Sequence, residues 1–234
     1  MTDIISVFKK KLIEDELFQS RLHGIKVAVP IMSFIKNKNK RIDNESLPPA
    51  LQNFYNNLES MMISWDIPKT HQASNEIFKN DPWLIKNYFN EGYEWEVVKE
   101  FLSGFINITP YKDIFNPDFC KEQAYYYTLS QLDFNPDEFY PFDIHWSLTA
   151  CLKKENGKIL DNIWLVHTDG EAIYDMKIGV DEYLNLAYQA KIFHYWQLIY
   201  VLKKQTDYFE LMKRFLPVMV PHVKLDLSKF DIYL

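Results

Sequence analysis

Residues 145–178, HWSLTACLKKENGKILDNIWLVHTDGEAIYDMKI, decide the predicted fold. Apolar and polar residues alternate through the first eight positions, which is the pattern of a half-buried β-strand. Asn156-Gly157 is a strong hairpin-turn signal, and Thr168-Asp169-Gly170 provides a second turn. The stretch therefore predicts a meander of three antiparallel strands, at 145–152, 159–167 and 172–178.

Weaker signals outside the meander predict further strands and several helices. Apolar runs predict strands at 61–67 and 105–109, and Pro30 limits the β-branched segment 25–35 to an edge strand or extended segment. The polar segment 68–80 is predicted to be a loop. Amphipathic spacing predicts helices near the N-terminus and at 48–58, 81–90, 94–103, 181–204 and 206–216. Together these elements predict an α+β protein.

The composition excludes several classes of protein. Of the 234 residues, 47 % are hydrophobic and 25 % are charged, so the chain can bury a core and is not disordered. No apolar run is long enough to span a membrane, and the charged N-terminus is not a secretory signal. The six glycines are isolated, so neither a P-loop nor a dinucleotide-binding motif is present. We expect a soluble, cytoplasmic protein without a cofactor.

Charge is distributed unevenly along the chain, whose formal net charge is −6. Residues 1–41 carry a net +5, residues 42–121 carry −6, and residues 153–234 are neutral. Segment 122–152 carries −5, because it contains five acidic residues and no Lys or Arg. Only three arginines occur in the chain, and arginine is the preferred side chain for phosphates and base edges. A nucleic-acid partner is therefore not expected.

The acidic segment 122–152 is also rich in aromatic residues, since it contains eight Phe, Tyr and Trp side chains. Aromatic side chains anchor protein interfaces, and a surface of one charge sign steers an oppositely charged partner. We therefore predict a surface for a basic protein partner. Its predicted residues are Asp133, Asp137, Glu138, Phe139, Tyr140 and Asp143. The alternative is that about half of the rings lie in the core and the acidic residues only solvate a loop.

An enzymatic site is a weaker possibility, centred on His145, Cys151 and His167. A cysteine nucleophile needs a histidine within hydrogen-bond reach and a lowered thiol pKa. Cys151 lies between apolar residues of a predicted core strand, so a buried, inert thiol is the expected state. With Cys120 as the only other cysteine, neither a disulfide scaffold nor a metal-binding cysteine motif is expected. No catalytic residue is assigned.

A metal site at the second turn is a further possibility. His167 and Asp169 can share one face of a strand, with Asp175 opposite across the turn. Scattered ligands of this kind are common by chance, and a satisfied polar edge of a hairpin explains the same residues. We therefore assign no metal site.

Four motifs, in order along the chain, resemble the SUKH superfamily, which includes fungal cell-wall-assembly regulators and bacterial immunity proteins. The first is Leu47 to Asp66, where Leu-Pro precedes a helix ending in Phe-Tyr and two Asn, followed by an apolar strand with Trp. The others are INITPYKDI at 106–114, FYPFD at 139–143 and VDEYL at 180–184. Two features depart from the family pattern. Glu59-Ser60 replaces the usual Asn-Gly, and residues 68–103 are longer and more helical.

The resemblance implies a twisted, mostly antiparallel sheet with helices packed on one side. It also implies a single domain over 1–234. Within it, 1–45 form an N-terminal helix and extended segment, 46–204 form the core with a helical insertion near 68–103, and 205–234 form a C-terminal helix and tail.

The activity that the resemblance implies is binding and not catalysis. Bacterial members occlude a cognate toxin, which is often a nuclease or deaminase with a basic groove. Two alternatives remain, besides the enzyme already considered. One is a regulatory protein of the same fold, and the other is a scaffold whose Lys9, Lys10 and Lys11 dock on a partner or an anionic membrane.

Overall fold

The computed structural model describes residues 6–17, 19, 21–22, 25–26, 28–37, 46–68 and 72–233. Parts of the predicted N-terminal segment 1–45, including residues 1–5 and 38–45, lie outside the described residues. The described strands are β1 Arg21–Leu22, β2 Ile25–Lys26, β3 Val29–Lys36, β4 Leu58–Asp66, β5 Gly104–Ile108, β6 Phe139–His145, β7 Leu148–Glu155, β8 Lys158–His167 and β9 Ala172–Asp175.

Helices precede, separate and follow these strands along the chain, which confirms the predicted α+β class. The α-helices are α1 Pro49–Asn57, α2 Gln72–Lys79, α3 Pro82–Leu84, α4 Trp95–Phe101, α5 Tyr111–Ile114, α6 Pro117–Glu122, α7 Ala124–Gln131, α8 Val180–Gln189, α9 Trp196–Leu202 and α10 Tyr208–Met219. Ser6–Leu17 and Ile85–Phe89 are π-helical, and short 3-10 turns lie at Pro136–Glu138, Lys203–Gln205 and Ser228–Phe230. Within the described ranges, no helix has the length and apolar character needed to cross a membrane.

The main sheet has seven strands in the order β3-β4-β5-β6-β7-β8-β9, so each strand neighbours the next one in the chain. The pairs from β5 to β9 are antiparallel. The predicted hairpin turn is confirmed, because Asn156 and Gly157 adopt φ values of 50° and 80° between the paired residues Glu155 and Lys158. The predicted edge position of the strand containing Pro30 is also confirmed, since β3 is the first strand of the sheet.

Three local predictions are wrong. The strand expected at 145–152 is interrupted, because Trp146 and Ser147 form a loop between the end of β6 at His145 and the start of β7 at Leu148. The polar segment 68–80 was expected to be a loop, but it contains α2. Phe78 of this helix is buried, and the centre of its ring lies 6.2 Å from that of Phe215. The single helix expected at 181–204 is two helices, because α8 ends at Gln189 and α9 begins at Trp196. In segments 68–80 and 181–204, contacts with a distant part of the chain override the local sequence pattern.

Internal contacts divide the chain into two compact units. Unit 1 comprises Met1–Ile31, Ile63–Phe105 and Ala187–Leu234, and unit 2 comprises Met32–Met62 and Ile106–Leu186. The core of unit 2 joins α1, β6 and α8 through aromatic rings: Phe142 lies 6.0 Å from Phe54 and 5.9 Å from Tyr183. The predicted partner surface and the predicted enzymatic residues all lie in unit 2.

In unit 1, the connection between α8 and α9 is held by hydrogen bonds from distant residues. The indole N–H of Trp65 donates to the carbonyl of Lys191 at 2.6 Å, and the backbone N–H of Phe105 donates to Ile192 at 2.8 Å. Gly104 is required here, because a Cβ would overlap the indole nitrogen of Trp65. Lys191 and Ile192 adopt φ values of 52° and 50°, which end the helix without a local glycine.

A buried ion pair links the connection between α8 and α9 to the N-terminal helix. Lys191 Nζ lies 2.8 Å from Glu16 Oε2, with side-chain exposures of 5 % and 10 %. Tyr188 donates its hydroxyl to the other carboxylate oxygen of Glu16 at 2.8 Å and places its ring 4.0 Å from the Lys191 ammonium. Burial lowers the pKa of Lys191, and the Glu16 carboxylate opposes that shift. The pair fixes the N-terminal helix to the connection.

Replacement of Lys191 by Met is expected to lower the free energy of unfolding by about 3 to 5 kcal/mol, because the Glu16 charge would stay buried without its cation. Chemical denaturation followed by tryptophan fluorescence measures the change. Lys213→Met is the matched control, since Lys213 and Glu210 form an exposed pair at 3.9 Å, and its effect should stay below about 1 kcal/mol. Equal effects of the two substitutions would contradict a structural role for the buried pair.

Candidate functional site: an acidic and aromatic surface on unit 2

The structure separates the six predicted partner-binding residues into three groups. Asp133 and Asp137 are exposed, and Glu138 is half-buried beside them. Phe139 and Asp143 are each 1 % exposed, so a partner in solution cannot reach them. Tyr140 is half-buried and lines a separate cavity. A partner surface can therefore include only the first group and its exposed neighbours.

Helix α7 supplies those neighbours through three consecutive tyrosines. Successive helical residues point about 100° apart, so three of them cannot share one side. Tyr125 is fully buried, Tyr126 is half-buried, and Tyr127 is 65 % exposed. The inward side of α7 packs on a small apolar core, which positions the outward side rigidly. That core contains Cys120, Tyr125, Leu129, Phe139, Cys151 and Val166.

The loop after α7 folds back so that its carboxylates lie beside these tyrosines. Asp133 adopts a left-handed conformation with φ 59°, which reverses the chain. Asn135 then caps the 3-10 turn, accepting from the Asp137 N–H at 3.3 Å and donating to Glu138 Oε1 at 3.2 Å. Tyr126 donates its hydroxyl to Asp137 Oδ1 at 2.8 Å, and this hydrogen bond raises the pKa of Tyr126.

We call the resulting patch the acidic tyrosine face. It consists of Glu122, Tyr126, Tyr127, Asp133, Asp137 and Glu138. Within it, Tyr126 contacts Asp137 through its hydroxyl and Tyr127 through its ring, with the ring centroids 6.4 Å apart. All six residues belong to segment 122–152, which has no Lys or Arg. The face can attract a cationic surface and offer it an aromatic contact area.

Asp143 has a structural position instead. Its Oδ1 accepts the backbone N–H of Asn107 in β5 at 2.8 Å, and its Oδ2 accepts the hydroxyl of Tyr183 in α8 at 2.6 Å. A register shift in β6 between Pro141 and Asp143 directs the carboxylate toward these donors. The sequence contains no signal that separates this aspartate from the other four acids of segment 122–152.

Asp143→Ala should lower the free energy of unfolding by about 1 to 3 kcal/mol, because two buried donors lose their acceptor. Asp137→Ala serves as the control, since it removes an exposed acceptor of a single tyrosine hydroxyl, and its effect should be about 0.5 kcal/mol or less. Urea denaturation of both variants compares them directly. If Asp143→Ala were as stable as Asp137→Ala, the carboxylate would not hold β5, β6 and α8 together.

Tyr140 lines a cavity of about 210 Å³ at the other side of β6. Its ring lies 5.1 Å from that of Phe115, and Lys154 stands at the rim. The remaining lining residues are Ser46, Leu47, Gly157 and Ile159. The volume is below that of most small-molecule sites. Tyr140 thus belongs to this cavity and not to the acidic tyrosine face.

The strand register separates the residues considered for an enzymatic site. His145 and His167 both pair with Leu148, so they flank one position at one end of the meander. Cys151 lies three residues further along β7, which places it on the opposite face of the strand. Its thiol is fully buried, and burial raises its pKa well above the usual value. A cysteine–histidine pair is therefore not assembled.

The metal corner considered at the second turn is not assembled either. Asp175 pairs with Trp164 and accepts hydrogen bonds from the Asn162 amide and the Lys177 N–H, both at 2.9 Å. In the described part of the chain, no group of three His, Cys, Asp or Glu side chains is placed to hold a metal ion.

Burial of His145 has a consequence for stability below neutral pH. The side chain is 4 % exposed, and desolvation lowers the pKa of His145 to about 4. The unfolded chain takes up a proton near pH 6.5 whereas the folded chain does so near pH 4, so stability falls as pH drops between these values. From pH 7 to pH 5, His145 should account for a loss of about 2 kcal/mol.

Urea denaturation of wild type and His145→Gln at pH 7 and pH 5 measures this contribution. The variant should lose less stability over that interval, by about 2 kcal/mol, whatever its stability at pH 7. An unchanged pH dependence in His145→Gln would show that His145 is not the titrating group.

Comparison of the chain with models of known families, with curated proteins and with solved structures finds no match.

Proposed function

We propose that this chain is a non-enzymatic protein-binding module that acts like an immunity protein, neutralising a cognate toxin through the acidic tyrosine face. The observation that carries the proposal is the arrangement of Tyr126, Tyr127 and Asp137. Tyr126 orients the carboxylate through its hydroxyl, and Tyr127, whose ring lies 6.4 Å from that of Tyr126, is 65 % exposed. Such a rigid pairing of charge and aromatic area is typical of a protein interface.

The charge of the face supports a basic partner. A nuclease groove binds phosphates through cationic side chains, so it also attracts a surface rich in carboxylates. Segment 122–152 supplies carboxylates and contains no Lys or Arg. Lys153, which pairs with Phe139 in the sheet, has its own carboxylate partner in Glu155 at 2.7 Å. The ordered motifs that resemble the SUKH superfamily support the toxin-neutralising role, because its bacterial members act by occlusion.

The rigid support beneath the face favours binding over a loop that is merely solvated. Tyr125 and Phe139 anchor α7 and the start of β6 in one apolar core, and the ring of Phe134 lies 6.0 Å from Phe139. The backbone N–H of Phe134 also donates to Leu129 at 3.0 Å, which closes the loop on α7. A preorganised surface loses less entropy when it binds.

Co-expression with the product of the neighbouring gene tests the proposal. The wild-type chain should form a complex with that product and protect cells from it. Asp137→Lys combined with Glu138→Lys should weaken the complex at least about tenfold, because two attractive contacts become repulsive. Tyr127→Ala should weaken it by a similar factor through lost contact area. Isothermal titration calorimetry and survival of the co-expressing cells are the readouts.

Glu91→Lys combined with Glu94→Lys is the matched control. Both residues are exposed in unit 1, and their replacement changes the net charge by the same amount without touching the face. This variant should bind and protect as wild type does. Absence of a complex and of protection would refute the proposal. Equal losses in the control would show that net charge acts instead of the acidic tyrosine face.

A further inference from the structure

A second exposed aromatic residue lies at the other end of β6. All six tryptophans are within the described residues, and Trp146 is the exposed one, at 64 %, whereas the other five are buried or half-buried. Strand β6 rises by about 3.3 Å per residue, so this position lies roughly 20 Å from the strand's start beside the acidic tyrosine face. Trp146 therefore belongs to a different surface.

The backbone at Trp146 is unfavourable for this residue type. His145 pairs with Leu148, so Trp146 and Ser147 form a two-residue hairpin loop, and Trp146 has φ 30°. Positive φ in such loops favours Gly, Asn or Asp, because a Cβ is strained there. A large apolar side chain is thus both exposed and held in a strained conformation, neither of which stabilises the fold.

The indole is nevertheless held in a defined orientation. Its ring lies 5.3 Å from the imidazole of His145, with an angle of 23° between the planes. His145 is itself buried in β6, so it acts as a fixed support for the exposed ring. At 64 % exposure, the Trp146 side chain stays accessible to a ligand from solvent.

The neighbouring turn adds negative charge. The carbonyl of Ser147 accepts the N–H of Thr168 at 2.8 Å and its hydroxyl at 3.2 Å, which ties the turn after β8 to the Trp146 loop. Asp169 and Glu171 of that turn are exposed. No Lys or Arg occurs from Ile159 to Met176, so no cation in this stretch compensates them.

We infer that Trp146, with Asp169 and Glu171, forms a second protein-binding site that takes an arginine side chain of a partner. A guanidinium stacks on an indole face and pairs with carboxylates. The exposed indole and the exposed acids of the turn tied to its loop are the groups that would make these two contacts. Lysine fits less well, because its ammonium is compact and strongly hydrated. The site shares no residue with the acidic tyrosine face, so its test is independent of the test of the proposed immunity function.

Nuclear magnetic resonance of the full chain labelled with ¹⁵N tests the inference. The indole N–H signal of Trp146 is assigned by its loss in Trp146→Phe. The probe is the blocked peptide Gly-Arg-Gly-Arg-Gly, and matched peptides carry Lys or Glu in place of Arg. The arginine peptide should shift the Trp146 signal saturably in the millimolar range, about threefold more tightly than the lysine peptide. The glutamate peptide should not shift it.

Two carboxylate variants locate the binding site. Asp169→Asn combined with Glu171→Gln should weaken binding of the arginine peptide at least about threefold. Glu91→Gln combined with Glu94→Gln removes the same charge from unit 1 and should leave the Trp146 titration unchanged. The inference is overturned if the arginine peptide leaves the Trp146 signal in place, if the glutamate peptide moves it equally, or if both double variants behave alike.

A stability measurement separates binding from a structural role. Trp146→Asn relieves the strain at positive φ, so its thermal midpoint should equal or exceed that of wild type, while the arginine peptide no longer binds. A midpoint several degrees lower would show that Trp146 is retained for the fold, and would overturn the inference.

Discussion

The buried carboxylate of Asp143 is the interaction on which unit 2 depends. It accepts one hydrogen bond from Asn107 in β5 and one from Tyr183 in α8, while its own backbone lies in β6. A buried carboxylate requires such donors, so satisfying it fixes three elements relative to one another. Phe142, the preceding residue, packs between Phe54 and Tyr183. Two adjacent residues of β6 therefore make both the buried hydrogen bonds and the central aromatic contacts of unit 2.

Once β6 is fixed, its two ends determine where binding residues can be exposed. Before Phe139, the 3-10 turn places Asp137 beside the tyrosines of α7, and after His145 the hairpin loop exposes Trp146. Both surfaces lie on connecting segments held by a rigid strand, as is usual for binding sites. The length of the strand keeps them apart, so one partner contact need not exclude the other.

Sequence patterns predicted the parts of this fold that local chemistry controls. The Asn156-Gly157 turn, the meander around it and the edge position of β3 follow from turn residues, alternation and Pro30. The break between α8 and α9 could not be predicted, because Lys191 and Ile192 have no local preference for positive φ and are held there by bonds from distant residues. The candidate surface was predicted in composition only. Which of its residues are buried depends on tertiary donors that spacing does not reveal.

Asp143 also changes how the charge of segment 122–152 is understood. The sequence contains five acidic residues there, but a carboxylate enclosed by donors contributes little field outside the protein. The other four are exposed or half-buried, so their charge reaches solvent, where it acts over about a Debye length of 8 Å at physiological salt. Such charges mainly raise the association rate, whereas aromatic contact area slows dissociation. In the proposed complexes, Tyr127 at this face and Trp146 at the other would supply the contact area that slows dissociation, which the carboxylates alone would not supply.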